Sequence, residues 1–513
     1  MKNKWVGFVL VVSVIFAVFI TGCKGESTSE NTVRVVIYDR GTDGGRISVT
    51  DNKWTQWIQE KVKEDLGLDI VFFPVSRWDE GAVQVTLLAA GNPPDLMMTY
   101  GKDNVIQMGE NGGLFDMAPY VDTYLADVKA FLGSDEAMPG RELILRNQNM
   151  QTGQLFSIQQ KRSSTAMNNV FMRKDWLDAL GLPVPTTPEE FFNTLVAFRD
   201  RNPGSVDGVT PFIMHRGLAK TIQEAFIDPN LSNEEFWLNI IGERNLLVPG
   251  YKEGIRFLNR MYNAGLIDHD FPLYSDNDVT KRIIASGRVG AFESNWDYIF
   301  TIPEVQDGLR AIVPNAEWVA LESFPHKLSN DITGLYVFIP KAAKNTEGAM
   351  RYLNWLAKFE NYNFLQIGNE GINHELVDGL PRIKAPAGDG WFQNSYLNLD
   401  YTPLQNGMFL GSQEENIKAI ALSYPFPSEM ILQAYNAAMY NARPVPVVPT
   451  SKPLVAAGPL LATLNQQIDE LLVQATVASP ENFDKIWDTG VASILDSGAR
   501  TIIEERKTNA ILP

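Results

Sequence analysis

The chain has a single cysteine, Cys23, and only four histidines, His215, His269, His326 and His374. One cysteine excludes an intrachain disulfide, so the 513 residues depend on ordinary hydrophobic cores. The histidines are scattered without HExxH zinc spacing, and neither a GxSxG elbow nor a phosphate-binding P-loop is present. Positive charge is in deficit, 44 Lys and Arg against 61 Asp and Glu. That balance argues against nucleic acid or another polyanion as a partner recognised by global charge. No internal repeat is visible, and past residue 20 no apolar run approaches the length of about 18 residues that spans a bilayer.

The N-terminus does carry an apolar run. Lys2 and Lys4 precede Val6 to Ile20, a stretch of apolar and small residues too short to span. Thr21, Gly22 and Cys23 follow it, and then the polar stretch KGESTSENT, which offers no apolar face against which to bury a thiol. The sequence ITGC resembles the lipobox of bacterial lipoproteins. That resemblance implies that residues 1–22 are a cleaved signal peptide, that Cys23 becomes a lipidated N-terminus, and that residues 23–32 are a polar linker. Two or more acyl chains anchor stably. Cleavage would leave 42 basic and 61 acidic side chains, a net charge of −19.

The remaining length predicts two or three domains. The first 150 residues alternate between strand and helix patterns. VRVVIY, DIVFFPV and PDLMMTY read as strands, separated by a helix with the apolar face Trp54, Trp57, Ile58, Val62 and Leu66, stopped by Gly67, and by the helix AVQVTLLAAG. This order predicts a parallel sheet with right-handed crossovers. Ligands of such sheets bind at the carboxyl ends of strands, which nominates Asp39–Gly45 and Thr99–Asn104. Further along, Thr187, Pro188 and Glu190 form a capping box for a helix burying Phe191, Phe192, Leu195 and Phe198. YKEGIRFLNRMYNAG is another helix, RVGAFES and ITGLYVFIP are strands, and Asn345 caps NTEGAMRYLNWLAKF.

Seven segments in order, AAGNPPDLM, ENGGLFDMAPYVDTY, FMRKDWLDALGLPVPTTPEEF, YKEGIRFLNRMYNAGLI, IASGRVGAFESNWD, IPKAAKNTEGAMRYLNWLA and FDKIWDTGVASILDSGARTIIEE, resemble an extracellular solute-binding protein (family 1). The likeness is to carbohydrate ABC transporter substrate-binding lipoproteins of the aldouronate and oligosaccharide branch. It implies an α/β, two-lobed periplasmic-binding-protein-like (type II) fold with a hinge and an interlobe cleft. One lobe would take residues 33–158 plus 315–368, the other 165–310 plus 372–513. An oligosaccharide would be captured by hinge closure and delivered to ABC permease subunits by a monomer on the outer face of the cytoplasmic membrane. The resemblance further implies that no bond is broken and that no cofactor is needed.

Pyranose hydroxyls favour planar polar partners, and the apolar sugar face stacks on aromatic rings. Asp39 and Arg40 follow the first strand, where maltose-binding proteins, which this stretch resembles, carry an Asp-Lys pair to sugar hydroxyls. Tyr100 and Asp103 follow the third strand. Trp296 matches the family's stacking tryptophan. Gln159, Lys161 and Arg162 lie at an implied lobe crossing, His215 and Arg216 follow the strand-like VTPFIM, and Trp391 with Phe392 sits in the glycine-flanked GDGWFQ. If three of Arg40, Arg162, His215 and Arg216 face the cleft, an acidic sugar is expected; if they pair with surface acids, a neutral one.

Many relatives carry a loop able to hold calcium after the AFRD-type helix end. Here RDRNPGSVDGVTP keeps Asp200, Asn202 and Asp207 but lacks the terminal acidic pair, so no metal is expected. Two other readings stay open: a lipid-anchored glycoside hydrolase, which needs two opposed carboxylates, and a binding protein for a non-carbohydrate solute such as a peptide.

Overall fold

The computed structural model describes residues 30–41, 48–135, 138–217, 219–242, 244–274, 277–384 and 400–511. The proposed signal peptide and Cys23 lie outside the described residues, as does Trp391.

The first lobe is built on β1 (Thr32–Asp39), β2 (Asp69–Ser76) and β3 (Met97–Thr99). β1 and β2 pair in parallel from Thr32↔Asp69 to Asp39↔Ser76, and Val35 bridges in parallel to Leu96 just before β3. Val33, Val35, Val36, Ile37 and Tyr38 are all buried, as expected of a strand covered on both faces. The helix Lys53–Leu66 between β1 and β2 starts where Asn52 accepts bonds from Trp54 N–H and Thr55 N–H, and it stops at Gly67 with φ 71°. Its Trp54, Ile58 and Val62 are buried on the sheet, each contributing about 1.5–3 kcal/mol.

The second lobe is built on β5 (Asn168–Arg173), β6 (Thr210–Ile213), β7 (Val289–Asn295) and β8 (Trp318–Ala320) in the order β6-β7-β5-β8. β5 runs antiparallel to β7 and β8, and β6 parallel to β7. The helix Pro188–Arg201 is capped by Thr187, whose Oγ1 accepts from Glu190 N–H. The reciprocal bond of the expected capping box lands one residue earlier, because Glu190 Oε2 accepts from Thr186 N–H and Oγ1. Phe191, Leu195 and Phe198 are buried, while Phe192 is only half-buried.

Three segments join the lobes. β4 (Ile158–Arg162) leads into β5; β9 (Leu328–Ser329) and β10 (Thr333–Phe338) return; β13 (Gln405–Asn406) pairs with β4 before the chain leaves again. β10 and β4 are antiparallel, and β10 pairs with β3, giving the order β13-β4-β10-β3. The segments bind one another: Ser163 N–H donates to Asn406 O (2.9 Å), Arg162 N–H to Ile332 O (2.8 Å) and Asn330 N–H to Thr165 O (2.8 Å).

These pairings move two of the expected lobe boundaries. Residues 318–328 belong to the second lobe, since β8 pairs with β5 and Leu321, Phe324 and Leu328 lie in its core. The second crossing therefore falls near residue 330 instead of 315. Tyr401 and Leu404 lie in the first core, so the third crossing falls after β13 instead of near 372. Between them a hairpin of β11 (His374–Val377) and β12 (Leu380–Ile383) turns at Asp378 and Gly379, both with positive φ. Its Ile383 N–H donates to Ser423 Oγ at 2.9 Å.

Candidate functional site

The carboxyl ends of β1, β2 and β3 bring together Arg40, Arg77, Trp78, Glu80 and Tyr100. Arg40 makes a two-bond fork with Asp400, Nε to Oδ2 at 2.8 Å and Nη2 to Oδ1 at 3.0 Å. Both side chains are largely enclosed, 17 % and 9 % exposed. Burial works against the Arg40 charge, but Asp400 outweighs it and the guanidinium pKa stays above its ordinary value. Asp39 is committed locally, its Oδ1 accepting from Gly41 N–H at 2.8 Å.

The Arg77 guanidinium lies over the Tyr100 ring, 4.1 Å from its centroid, and 5.5 and 5.7 Å from those of Tyr38 and Trp78. Trp78 is 74 % exposed, so most of its ring is free. Glu80 is buried beneath them. It accepts from Tyr38 Oη, from Tyr100 N–H at 3.1 Å and, at a longer 3.4 Å, from Arg77 Nη1. Burial pushes its carboxyl up to about 7. Exposed and half-buried aromatic faces beside a charged polar fork are what a sugar ring with its hydroxyls requires.

Of the sequence-nominated residues, Asp39, Arg40 and Tyr100 fall in this cluster. Asp103 follows close by in the first turn of the helix Lys102–Glu110. Gln159 is buried in β4 opposite Tyr336, and Arg162 Nε donates to Thr333 O at 3.1 Å, so both stand in the segments that join the lobes. His215 and Arg216 follow β6 in the second lobe; His215 Nδ1 accepts from Gly217 N–H at 2.9 Å and Arg216 is exposed. Trp296 is packed: it is 8 % exposed and meets Tyr435 edge-on with centroids 5.5 Å apart. Little ring face is left to stack on a sugar.

Arg77, Trp78 and Glu80 were missed by sequence reasoning. The same strand-end rule that nominated the residues after β1 and β3 applies after β2, where SRWDE stands.

A second set of carboxyls lies in the other lobe. Glu293 in β7 accepts from Thr221 N–H (2.8 Å) and Asn168 Nδ2 (3.3 Å), and burial lifts it to about 7. Glu224 accepts from Leu328 N–H and Asn245 Nδ2, both at 3.2 Å, and is lifted to about 8. Among the described residues no group of three or more His, Cys, Asp or Glu could hold a metal ion. In the stretch RDRNPGSVDGVTP, Asp200 pairs with Arg199, and Asn202 closes the helix Pro188–Arg201 at φ 41° while bonding Val206.

The sequence model of bacterial extracellular solute-binding proteins matches residues 49–361. The chain belongs to that family. This solute-binding protein is 24% identical over 425 residues to lipoprotein LipO of Bacillus subtilis (strain 168), covering 74% of this chain and 75% of that protein. It is 23% identical over 410 residues to the polygalacturonan/rhamnogalacturonan-binding protein YtcQ of the same organism, covering 73% and 75%. Among solved structures it resembles the S. pneumoniae ABC-transporter substrate-binding protein FusA in complex with kestose, with TM-score 0.66, 16% identity, and coverage of 93% of this chain and 98% of that one. Alginate-binding protein AlgQ2 matches with TM-score 0.64, 16% identity and coverage of 92% and 96%. At such identity the structural likeness shows the fold, a two-lobed type II periplasmic-binding-protein-like architecture. No helix among the described residues is long and apolar enough to cross a membrane.

Proposed function

We propose that this solute-binding protein captures an oligosaccharide at the carboxyl ends of β1, β2 and β3 and delivers it intact to an ABC importer. The observation that carries the reading is the grouping of Trp78, Tyr100, Arg77 and the Arg40–Asp400 fork. An exposed aromatic ring offers the apolar face of a pyranose a partner, and the adjacent Arg40–Asp400 fork and Arg77 offer its hydroxyls planar donors and acceptors. Relatives named for polygalacturonan and rhamnogalacturonan, alginate and fructooligosaccharide binding support the same substrate class.

Closure of the lobes about the three joining segments supplies the signal. A ligand that contacts both lobes gains its full contact energy only in the closed form, and the permease recognises that form. The protein acts as a monomer tethered by lipid at Cys23. Replacing Cys23 with Ala is expected to release it from membranes without changing sugar affinity, and retention of that variant on membranes contradicts the anchor. A thermal-shift panel of oligosaccharides and peptides separates the ligand classes. A ligand at 100 times its Kd adds about 2.7 kcal/mol of stability. Oligosaccharides should raise Tm, whereas a shift from peptides alone overturns the sugar assignment.

A further inference from the structure

Arg40 and Arg77 sit side by side at the strand ends but are held differently. Arg40 is neutralised by the two-bond fork to Asp400. Among the described residues Arg77 has one carboxylate within reach, Glu80 at 3.4 Å, and that oxygen already accepts from Tyr100 N–H. Its Nε is buried with no hydrogen-bond partner among the described residues. Burial lowers its pKa and the neighbouring Arg40 charge lowers it further, while Tyr100 and Asp400 raise it. Three aromatic rings surround it, and the outermost, Trp78, is free to solvent. A guanidinium in that position has donors to spare and a deficit of negative charge around it, whereas planar bidentate pairing with a carboxylate would satisfy both.

We infer that Arg77 is the specificity-determining residue of this site and that it takes a carboxylate carried by the sugar, with Trp78 against the ring that bears it. This rests on the oligosaccharide reading above and narrows it to acidic oligosaccharides through Arg77 alone, since Arg40 is paired with Asp400, Arg162 bonds Thr333 O and His215 bonds Gly217 N–H. The global negative charge is no obstacle, because recognition is local and the guanidinium is screened from water by its aromatic neighbours.

Glu80 supplies an independent signature. It is faced by Tyr38 Oη from β1, by Thr99 and the Tyr100 N–H from the end of β3, by Arg77, and at longer range by Asp400, itself paired with Arg40. A second carboxylate at Arg77 repels the Glu80 anion, so an acidic ligand binds better when Glu80 is protonated. Its binding should take up a proton near pH 7, and affinity should rise as pH falls from about 8 to 6. A neutral oligosaccharide brings no charge to Arg77 and should show neither effect.

The test is calorimetric titration of the chain from Lys24 onward with a uronate-bearing oligosaccharide and a neutral one of equal length, at two pH values and in two buffers. The variants are R77Q and R77K, with Tm measured for each. The expected result is that R77Q weakens the acidic ligand at least tenfold and the neutral one less than twofold. R77K should retain part of the acidic affinity, and proton uptake should accompany only the acidic ligand. Equal losses for both ligands, or no loss for the acidic one in a folded variant, overturn the assignment of Arg77. A wild-type chain that binds neutral but not acidic sugars overturns it too, leaving the oligosaccharide reading intact. A chain that binds neither overturns both.

Discussion

Gly407 lies against Ser163 where the third segment joining the lobes passes the first: a Cβ on Gly407 would stand 2.1 Å from Ser163 Oγ, and the glycine holds φ 98°. The contact follows from the bond between Ser163 N–H and Asn406 O, which draws the two backbones together. A positive φ and a close approach both exclude a side chain here.

Gly407→Ala should therefore destabilise the protein by about 1–3 kcal/mol, read as a lower Tm. Adding Ser163→Ala should recover part of the loss by removing the clashing oxygen, and the part that remains reports the backbone strain. An unchanged Tm in the single variant contradicts the close approach.

Arg40 and Asp400 should behave as a coupled pair. Arg40→Ala strands a carboxylate that is 9 % exposed, at a cost of about 2 kcal/mol or more once partial solvent access is allowed for. The double change Arg40→Ala with Asp400→Ala should cost less than the sum of the two single changes. Strict additivity in that cycle contradicts the pairing.

Stability should fall as pH rises through neutrality. Glu224 is lifted to about 8, and Glu293 and Glu80 to about 7, from an ordinary 4.5, in each case chiefly by burial. A carboxyl whose folded pKa is raised binds its proton more tightly in the folded state. Its contribution is complete below the unfolded pKa and is lost as pH climbs through the folded one. Tm is expected to decline between about pH 5 and 8.5 and to decline less in Glu224→Gln. A Tm that rises over that interval contradicts the burial of these groups.

Two tryptophans should separate affinity from stability. Trp78→Ala removes an exposed ring and should weaken oligosaccharide binding about tenfold or more, within the range for aromatic anchors, with Tm unchanged. Trp296→Ala removes a packed ring and should cost about 3–5 kcal/mol of stability. The reverse pattern would return the stacking role to Trp296.

The local elements were legible where their signals are local. Thr187 and Asn345 cap the helices they were expected to cap, because a side-chain acceptor before an apolar period is a short-range code. The lobe boundaries were less legible. Trp318–Ala320 is a three-residue strand whose place beside β5 depends on long-range pairing, and Tyr401 reaches the first core from far along the chain, with its Oη accepting from Asn52 Nδ2. Part of the candidate cluster was legible. Arg40 and Tyr100 followed from the strand-end rule, which was not carried to Arg77 and Trp78 after β2. Trp296, expected to stack on sugar, packs edge-on against Tyr435, and a tryptophan after a strand reads the same in sequence whether it faces a cleft or a neighbouring ring.

The most direct test of the central claim is calorimetric titration of the chain from Lys24 onward with oligosaccharides, followed by analysis of the recovered sugar. One-to-one binding near micromolar affinity, about −8 kcal/mol, with the sugar intact and the affinity lowered about tenfold or more in Trp78→Ala, is the predicted result. A shortened sugar, or binding that Trp78→Ala leaves untouched, would contradict capture at the strand ends.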